Sequence, residues 1–266
     1  MLGKPVGHSL SPVIHNSGYD AAGLRGWSYV AIECAEAELP DLVSTLGPEW
    51  AGLSLTMPLK EAALAVASEV SPVAAAIGAA NTLVRRPGGT WFADNTDAPG
   101  MESVLRANGV PDGASITVLG AGGTARAALA AAAGLGAARV TVLARRPAAL
   151  AELRPVAAAL GLELVGAGWS AAPEHFGADV VISTVPKGVA DALVTTVDFR
   201  PSTVVFDAIY DPWPTPLATI AGSAGCRVAS GLDLLLAQAI GQFEQFTGVP
   251  APVDAMRAAL AEARRH

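Results

Sequence analysis

Residues 116–133, ITVLGAGGTARAALAAAA, constrain the fold more than any other part of this chain. A β-prone run at 116–119 meets a glycine-rich loop, Gly120-Ala121-Gly122-Gly123-Thr124-Ala125, and an alanine-rich helical pattern follows. Strand, tight turn and helix in that order make the first half of a βαβ unit, and the loop fits G-x-G-x-x-A. Glycines let the backbone turn sharply and approach a pyrophosphate. The free N–H groups and positive dipole end of the following helix favour that anion. Glycine-rich turns also join strands to helices where nothing binds, so the loop alone does not identify a ligand.

The chain has 266 residues, a length that suits two domains better than one. Hydrophobic residues make up 52% and charged residues 15%, the balance of a globular protein and not of a disordered one. A formal net charge of −7 leaves no overall basic footprint, so nucleic acid is not an expected partner. Cys34 and Cys226 lie far apart and fit neither a disulfide framework nor a zinc spacing, which suits a reducing, cytoplasmic setting. His8, His15, His175 and His266 are scattered and form no recognisable metal site. The first residues show no apolar leader, and the apolar run at 127–138 is too short and too rich in Gly and Ala to span a membrane. No membrane partner is expected.

The chain reads as α/β throughout. Helical patterns at 11–22, 38–46 and 58–67 alternate with strands at 27–33 and 52–57. Ser11 before Pro12 reads as a helix N-cap, and Ser71-Pro72 starts another short helix. Strands at 81–85 and 90–93 flank Pro87-Gly88-Gly89 as a hairpin. A helix at 97–108 leads into the second unit, with strands at 116–119, 139–144, 162–165, 179–183, 203–207 and 226–229. Strands separated by helices at these spacings predict a parallel sheet with right-handed crossovers. Two closing helices, 232–246 and 253–264, have no strand after them and are expected to return to the first unit.

Three segments of the first unit carry chemistry. Ser9 and Ser11 place two hydroxyls just before a helix; Ser11 can cap it, whereas Ser9 has no such need. Lys60 falls in the expected first turn of the helix opened by Pro58, where the dipole already places positive charge. A cation there works against stability, which points to function, although a solvated lysine is the plain alternative. Asp94-Asn95-Thr96-Asp97 sits where the two units join; Asp97 either caps the next helix or projects into a cleft between domains. Asn81 offers an amide near the same edge.

The segments GHSLSPVIHN, SLTMPLKEAAL, GAANTL, DNTDAPG, GAGGTARAA, STVPKG, YDPWPTPL and GLDLLLAQA occur in this order, spanning nearly the whole chain. Together they resemble the shikimate dehydrogenase family (shikimate/quinate dehydrogenases). The resemblance implies reversible, NADPH-dependent reduction of 3-dehydroshikimate to shikimate, an oxidoreductase step of aromatic amino-acid (chorismate) biosynthesis. It implies an N-terminal substrate-binding and catalytic domain, 1–97 plus 236–266, and a Rossmann-type NADP-binding domain, 98–235. By motif position, Lys60 and Asp97 match the catalytic pair. Ser9, Ser11, Thr56, Asn81, Tyr210 and Gln238 match substrate-binding positions. Cofactor contacts fall on Gly120 to Ala125, on Ala144, Arg145 and Arg146, and on Thr184, Ala208 and Gly231. One departure is Ser54, where many members carry Asn; the shorter side chain loosens a substrate contact and leaves room for a bridging water.

The end of the second nucleotide-domain strand, Ala144-Arg145-Arg146, bears on the cofactor. NAD-specific sites of this type carry Asp or Glu there for the ribose 2′-hydroxyl, whereas guanidinium groups suit the 2′-phosphate of NADP. The expected ligands are therefore NADP(H) and shikimate or 3-dehydroshikimate, with the chain a monomer or homodimer. The competing readings are an NAD-preferring quinate/shikimate dehydrogenase and a catalytically silent regulator that binds NADP or shikimate.

Overall fold

The computed structural model describes residues 1–265; His266 lies outside the described residues. The chain divides into two compact units, Met1–Thr96 with Leu235–His266, and Asp97–Leu234.

The first unit runs β1 (Leu2–Gly3), α1 (Ser11–Ala21), β2 (Ile32–Glu33), α2 (Leu39–Thr45), β3 (Gly52–Ser54), α3 (Ala63–Val66), β4 (Glu69–Val70), α4 (Pro72–Ile77), β5 (Thr82–Arg85) and β6 (Trp91–Asp94). β1 pairs in parallel with β2, and Leu2 also bridges Leu55 in parallel just beyond β3. The remaining strands form a sheet in the order β3-β5-β6-β4, in which β5 and β6 make the expected antiparallel hairpin. Its core gathers Leu2, Leu39, Leu53, Leu55, Leu59, Leu83 and Trp91. Ser71 caps α4 as its position before Pro72 predicts, its Oγ accepting from the Ala74 N–H at 3.2 Å.

Two expectations change. The strand expected at 27–33 is reduced to Ile32–Glu33, the two residues in register with Leu2 and Gly3 of β1. Asn16 nonetheless holds that stretch: its Oδ1 accepts from the Tyr29 N–H at 2.8 Å and its Nδ2 donates to the Tyr29 carbonyl at 3.0 Å. The helix expected at 58–67 shrinks to α3. The Lys60 carbonyl accepts from the Ala80 N–H at 2.7 Å and the Leu64 N–H goes to the Glu61 carbonyl at 3.2 Å, so the single i→i+4 bond from the Ala63 N–H to the Leu59 carbonyl is not continued and residues 57–62 make turns.

The second unit runs α5 (Asp97–Ala107), β7 (Ile116–Leu119), α6 (Gly123–Gly134), β8 (Arg139–Ala144), α7 (Pro147–Ala159), β9 (Glu163–Gly168), α8 (Ala172–His175), β10 (Val180–Ser183), β11 (Val204–Asp207), α9 (Pro216–Ser223) and β12 (Arg227–Ser230). Its six strands are all parallel, in the order β12-β11-β10-β7-β8-β9. Strand order reverses between β7 and β10, which opens a crevice at their carboxyl ends, where ligands bind in doubly wound sheets. α10 (Gly231–Thr247), whose residues from Leu235 on belong to the first unit, and α11 (Val253–Ala263) close the chain. α11 packs on α1, and Gly18 permits it: a Cβ there would stand 3.0 Å from the Phe243 ring and 3.2 Å from Met256. Among the described residues no helix is long and apolar enough to cross a membrane.

Candidate active site

In the first unit, Asn81 organises the expected substrate-binding residues. It is 2% exposed. Its Oδ1 accepts from the Thr96 N–H and from Thr82 Oγ1, both at 2.8 Å, and its Nδ2 donates to Thr96 Oγ1 at 3.0 Å. Its carbonyl accepts from the Leu55 N–H at 2.7 Å, one residue before Thr56. Its neighbour Ala80 holds Lys60, and Thr96 immediately precedes Asp97. Ala80 and Asn81, through backbone and side chain, thus tie together the backbone beside three expected site positions. An Asn side chain has two donor hydrogens, so one remains for a ligand.

Ser9 and Ser11 exchange the roles expected of them. α1 has Leu10 at its N-cap position with no side-chain cap, and Ser11 is already helical. It is Ser9 whose Oγ accepts from the Ser11 N–H, at 3.2 Å. Pro12, lacking an N–H, leaves one donor fewer to satisfy in that first turn. Ser11 is buried and Ser9 half-buried. Thr56 is held by its N–H to the Leu2 carbonyl at 2.9 Å. Lys60, half-buried, lies in the turns ahead of α3, so its expected conflict with a helix dipole does not arise.

Gln238 projects from α10, 7% exposed, with Nε2 donating to the Leu235 carbonyl at 2.8 Å. One turn further, Gln242 is a residue the sequence reading missed. It is 1% exposed; Ser54 Oγ donates to its Oε1 at 2.7 Å, and its Nε2 donates to the Asn81 carbonyl at 3.1 Å and to Thr82 Oγ1 at 3.0 Å. The available signal was two glutamines four apart, hence on one helix face, in an otherwise apolar segment. The hydroxyl of Ser54, the departure from the family pattern, is committed to this contact.

His15 is fully buried against Tyr29, their rings stacked at 4.2 Å, and neither ring nitrogen makes a hydrogen bond among the described residues. Burial holds its pKa down at about 3, against 6.5 for a solvated histidine. The folded imidazole stays neutral while the unfolded one takes a proton below pH 6.5, so stability falls as pH drops through that value toward 3. The slope is about 1.4 kcal/mol per pH unit, hence about 2 kcal/mol between pH 6.5 and 5. Unfolding free energies from urea titrations of wild type and His15→Phe, compared across that range, should shift in the variant's favour by that amount as pH falls; a constant difference would show that His15 does not titrate on unfolding.

In the second unit, the expected cofactor residues gather at the carboxyl edge of the sheet. Gly120 has φ +100°, and a Cβ there would meet Thr184 Oγ1 at 2.7 Å. Thr184 bonds back to the Leu119 carbonyl through both its N–H, at 2.9 Å, and its Oγ1, at 2.8 Å. Ala208 donates its N–H to the Ser183 carbonyl at 2.9 Å. Gly231 closes the row: a Cβ there would lie 2.1 Å from the Ala208 carbonyl oxygen and 3.1 Å from the Tyr210 ring. Tyr210 itself is exposed.

These residues fit a dinucleotide. α6 has Gly122 as its N-cap, with no side chain capping it, so the first-turn N–H groups are left for an anion. Cβ atoms built on Gly122 and Gly123 would meet nothing within 4 Å, which leaves room for a pyrophosphate above Thr124 and the buried Ala125. Ala121 is half-buried in the same loop. At the end of the adjacent β8, Ala144 is buried while Arg145 and Arg146 are exposed.

Known proteins resemble this chain over nearly its whole length. Residues 1–83 match the shikimate dehydrogenase substrate binding domain, 93–209 the alanine dehydrogenase/PNT C-terminal domain, and 231–261 the shikimate 5'-dehydrogenase C-terminal domain. The shikimate dehydrogenase (NADP(+)) of Caulobacter vibrioides is 39% identical over 261 residues, covering 95% of this chain and 90% of that protein. The crystal structure of Mycobacterium tuberculosis shikimate dehydrogenase superposes with a TM-score of 0.90 at 46% identity, covering 98% of this chain and 97% of that one. That of shikimate 5-dehydrogenase from Thermus thermophilus, in complex with NADP(H) and shikimate, gives 0.85 at 34% identity, covering 98% and 97%. With both units matched in order and relatives of this identity aligned nearly end to end, the chain belongs to the shikimate dehydrogenase family.

Proposed function

We propose that this protein is an NADP-dependent shikimate dehydrogenase, reversibly reducing 3-dehydroshikimate to shikimate with NADPH. The observation that carries the cofactor assignment is the pairing of an uncapped, glycine-lined helix N-terminus with two exposed arginines, and no acid, at the end of β8. That absence disfavours the NAD-preferring alternative. The family relationship supports the substrate, and Lys60 and Asp97 at the family's catalytic positions disfavour a silent regulator.

When bound, the nicotinamide supplies the hydride that reduces the ketone carbon. The negative charge that then develops on the ketone oxygen calls for a positioned cation. Lys60, its backbone fixed to Ala80, donates from Nζ to that oxygen and supplies the proton. Asp97 accepts from a substrate hydroxyl and orients it. Ser9 already accepts an N–H, which leaves its O–H to donate to the substrate carboxylate beside Ser11. Thr56, Asn81, Tyr210 and Gln238 complete the polar contacts. Gly120 to Ala125 hold the pyrophosphate. Arg145 and Arg146 hold the 2′-phosphate, Ala144 borders the adenosine, and Thr184, Ala208 and Gly231 let the nicotinamide lie close to backbone. The enzyme works in the cytoplasm as a monomer or homodimer.

Shikimate oxidation followed at the nicotinamide absorbance, with NADP and then NAD and with quinate as competitor, tests this reading. Turnover with NADP and shikimate is expected; equal efficiency with NAD, or preference for quinate, would shift it to the alternative. A charge-assisted hydrogen bond contributes about 1.5–3 kcal/mol. Arg145→Ala is therefore expected to weaken NADPH about ten- to a hundred-fold while leaving NADH nearly unchanged; equal weakening of both cofactors would take Arg145 off the 2′-phosphate.

A further inference from the structure

In the second unit, a cavity of about 220 Å³ opens between the loop after β10 and the loop after β11. Strand register sets its floor. Val180 to Ser183 lie opposite Val204 to Asp207 in parallel, so Ser183 and Asp207 end the two strands side by side. Alternation places both on the face of Val181 and Val205, which packs against Ala190 and Leu217. Thr184 and Ala208, the proposed nicotinamide neighbours, follow on the other face. Both floor residues are buried. Asp207 Oδ2 accepts from Thr215 Oγ1 at 2.7 Å, and its Oδ1 accepts from the Ile209 N–H at 3.2 Å. Ser183 Oγ stands beside that carboxylate yet makes no hydrogen bond among the described residues.

The floor is therefore short of two things. The Ser183 hydroxyl, 1% exposed, has a donor hydrogen and two lone pairs to place. Asp207 receives only neutral donors. Burial pushes its carboxyl above the usual carboxylate range, and the nearby Asp191 adds to the rise. At the mouth the exposed Asp191 and Lys187 offset each other, so the charge of Asp207 is left uncompensated. Val185, Ala190, Ile209 and Leu217 supply apolar wall. A water would satisfy Ser183 but bring no charge to Asp207. A hard metal ion takes about six oxygen ligands, more than this floor supplies. An alkylammonium meets both needs: it gives one N–H to Asp207 and one to Ser183 Oγ, and its stem lies on the apolar wall.

We propose that this pocket binds a small primary ammonium compound with an apolar stem, its nitrogen held between Ser183 Oγ and the Asp207 carboxylate. Because the pocket lies on the opposite face of the sheet from the nicotinamide contacts, the proposal stands apart from the cofactor assignment. The probe is 3-methylbutylammonium chloride. The controls are 3-methylbutanol, which has the same stem without the charge, and sodium chloride at equal ionic strength. In nitrogen-15-labelled protein the amine should shift the amide signals of Ser183, Gly188 and Ile209 saturably in the millimolar range, and neither control should do so. Ser183→Ala should melt no lower than wild type, because its hydroxyl has no hydrogen bond to lose. It should bind the amine about ten- to a hundred-fold more weakly, the loss expected for one charge-assisted hydrogen bond. Asp207→Asn, which removes the charge and keeps an oxygen for Thr215, should make amine and alcohol equivalent. No saturable shift with the amine, equal shifts with the alcohol, shifts mapped to other loops, or undiminished binding by Ser183→Ala would overturn the proposal.

Discussion

Lys60→Ala is expected to lower turnover by roughly 10²–10⁴-fold, with the melting temperature and NADPH affinity unchanged. The loss corresponds to about 2.7–5.5 kcal/mol of transition-state stabilisation. It falls on turnover because the ammonium meets full negative charge only after hydride reaches the carbon; the ground-state ketone oxygen is a weaker acceptor. The backbone contribution of Lys60 to the fold, its carbonyl accepting from the Ala80 N–H, is retained by alanine. Steady-state kinetics in both directions, with a cofactor titration, give the measurement, and near wild-type turnover would remove Lys60 from the mechanism. Asp97→Ala should raise the KM for shikimate as well as lower turnover, because in the proposed mechanism the carboxylate accepts from a substrate hydroxyl in the ground state. Asp97 also opens α5, where a carboxylate favours the helix dipole by about 0.3–1 kcal/mol. A variant that failed to fold would show that this structural role dominates.

The second large effect is expected at a residue outside the family motif set. Gln242→Leu keeps the side-chain volume but leaves the buried Ser54 hydroxyl without its partner, and takes one bond each from the Thr82 hydroxyl, which keeps Asn81 Oδ1, and from the Asn81 carbonyl, which keeps the Leu55 N–H. The hydroxyl left unsatisfied costs about 1–3 kcal/mol, and each bond lost from a group that keeps another partner about 0.5–1.5 kcal/mol. Some relaxation between Ser54 and Thr82 is open to the variant, so the expected total is about 2–4 kcal/mol, read as a lower urea midpoint with an unchanged m-value. The KM for shikimate should rise too, since Asn81 carries Thr96 and with it the backbone leading to Asp97. NADPH affinity should not move, because the glycine cradle belongs to the other unit. A variant as stable as wild type would show that Gln242 is not the keystone of this network.

Much of the chemistry was legible in the residues themselves. The strand–glycine–helix stretch at 116–134 reads locally because glycine torsions, helix polarity and β-propensity act over a few neighbouring residues. The parallel sheet follows from strand spacing, and the six strands observed include all those expected. The arginine pair after β8 is a candidate phosphate site by its charge alone, and the structure places both side chains at the surface.

What the linear order could not decide is where a backbone group finds its partner. The helix expected from Pro58 fails because Ala80, twenty residues on, takes the Lys60 carbonyl. The strand expected at 27–33 contracts because pairing is set by the neighbour's register, not by β-propensity. Ser9 and Ser11 exchange capping roles over a single hydrogen bond whose direction the sequence does not encode. Gln242 reads as a solvated helix polar until the fold brings Ser54, 188 residues away in sequence, to within 2.7 Å. By itself, then, the sequence determined the local grammar and the reactive groups: the glycine loop, the lysine, the aspartate and the arginines. Only the tertiary structure decided which long-range hydrogen bonds hold them, because a buried donor or acceptor is satisfied by whatever packing places beside it.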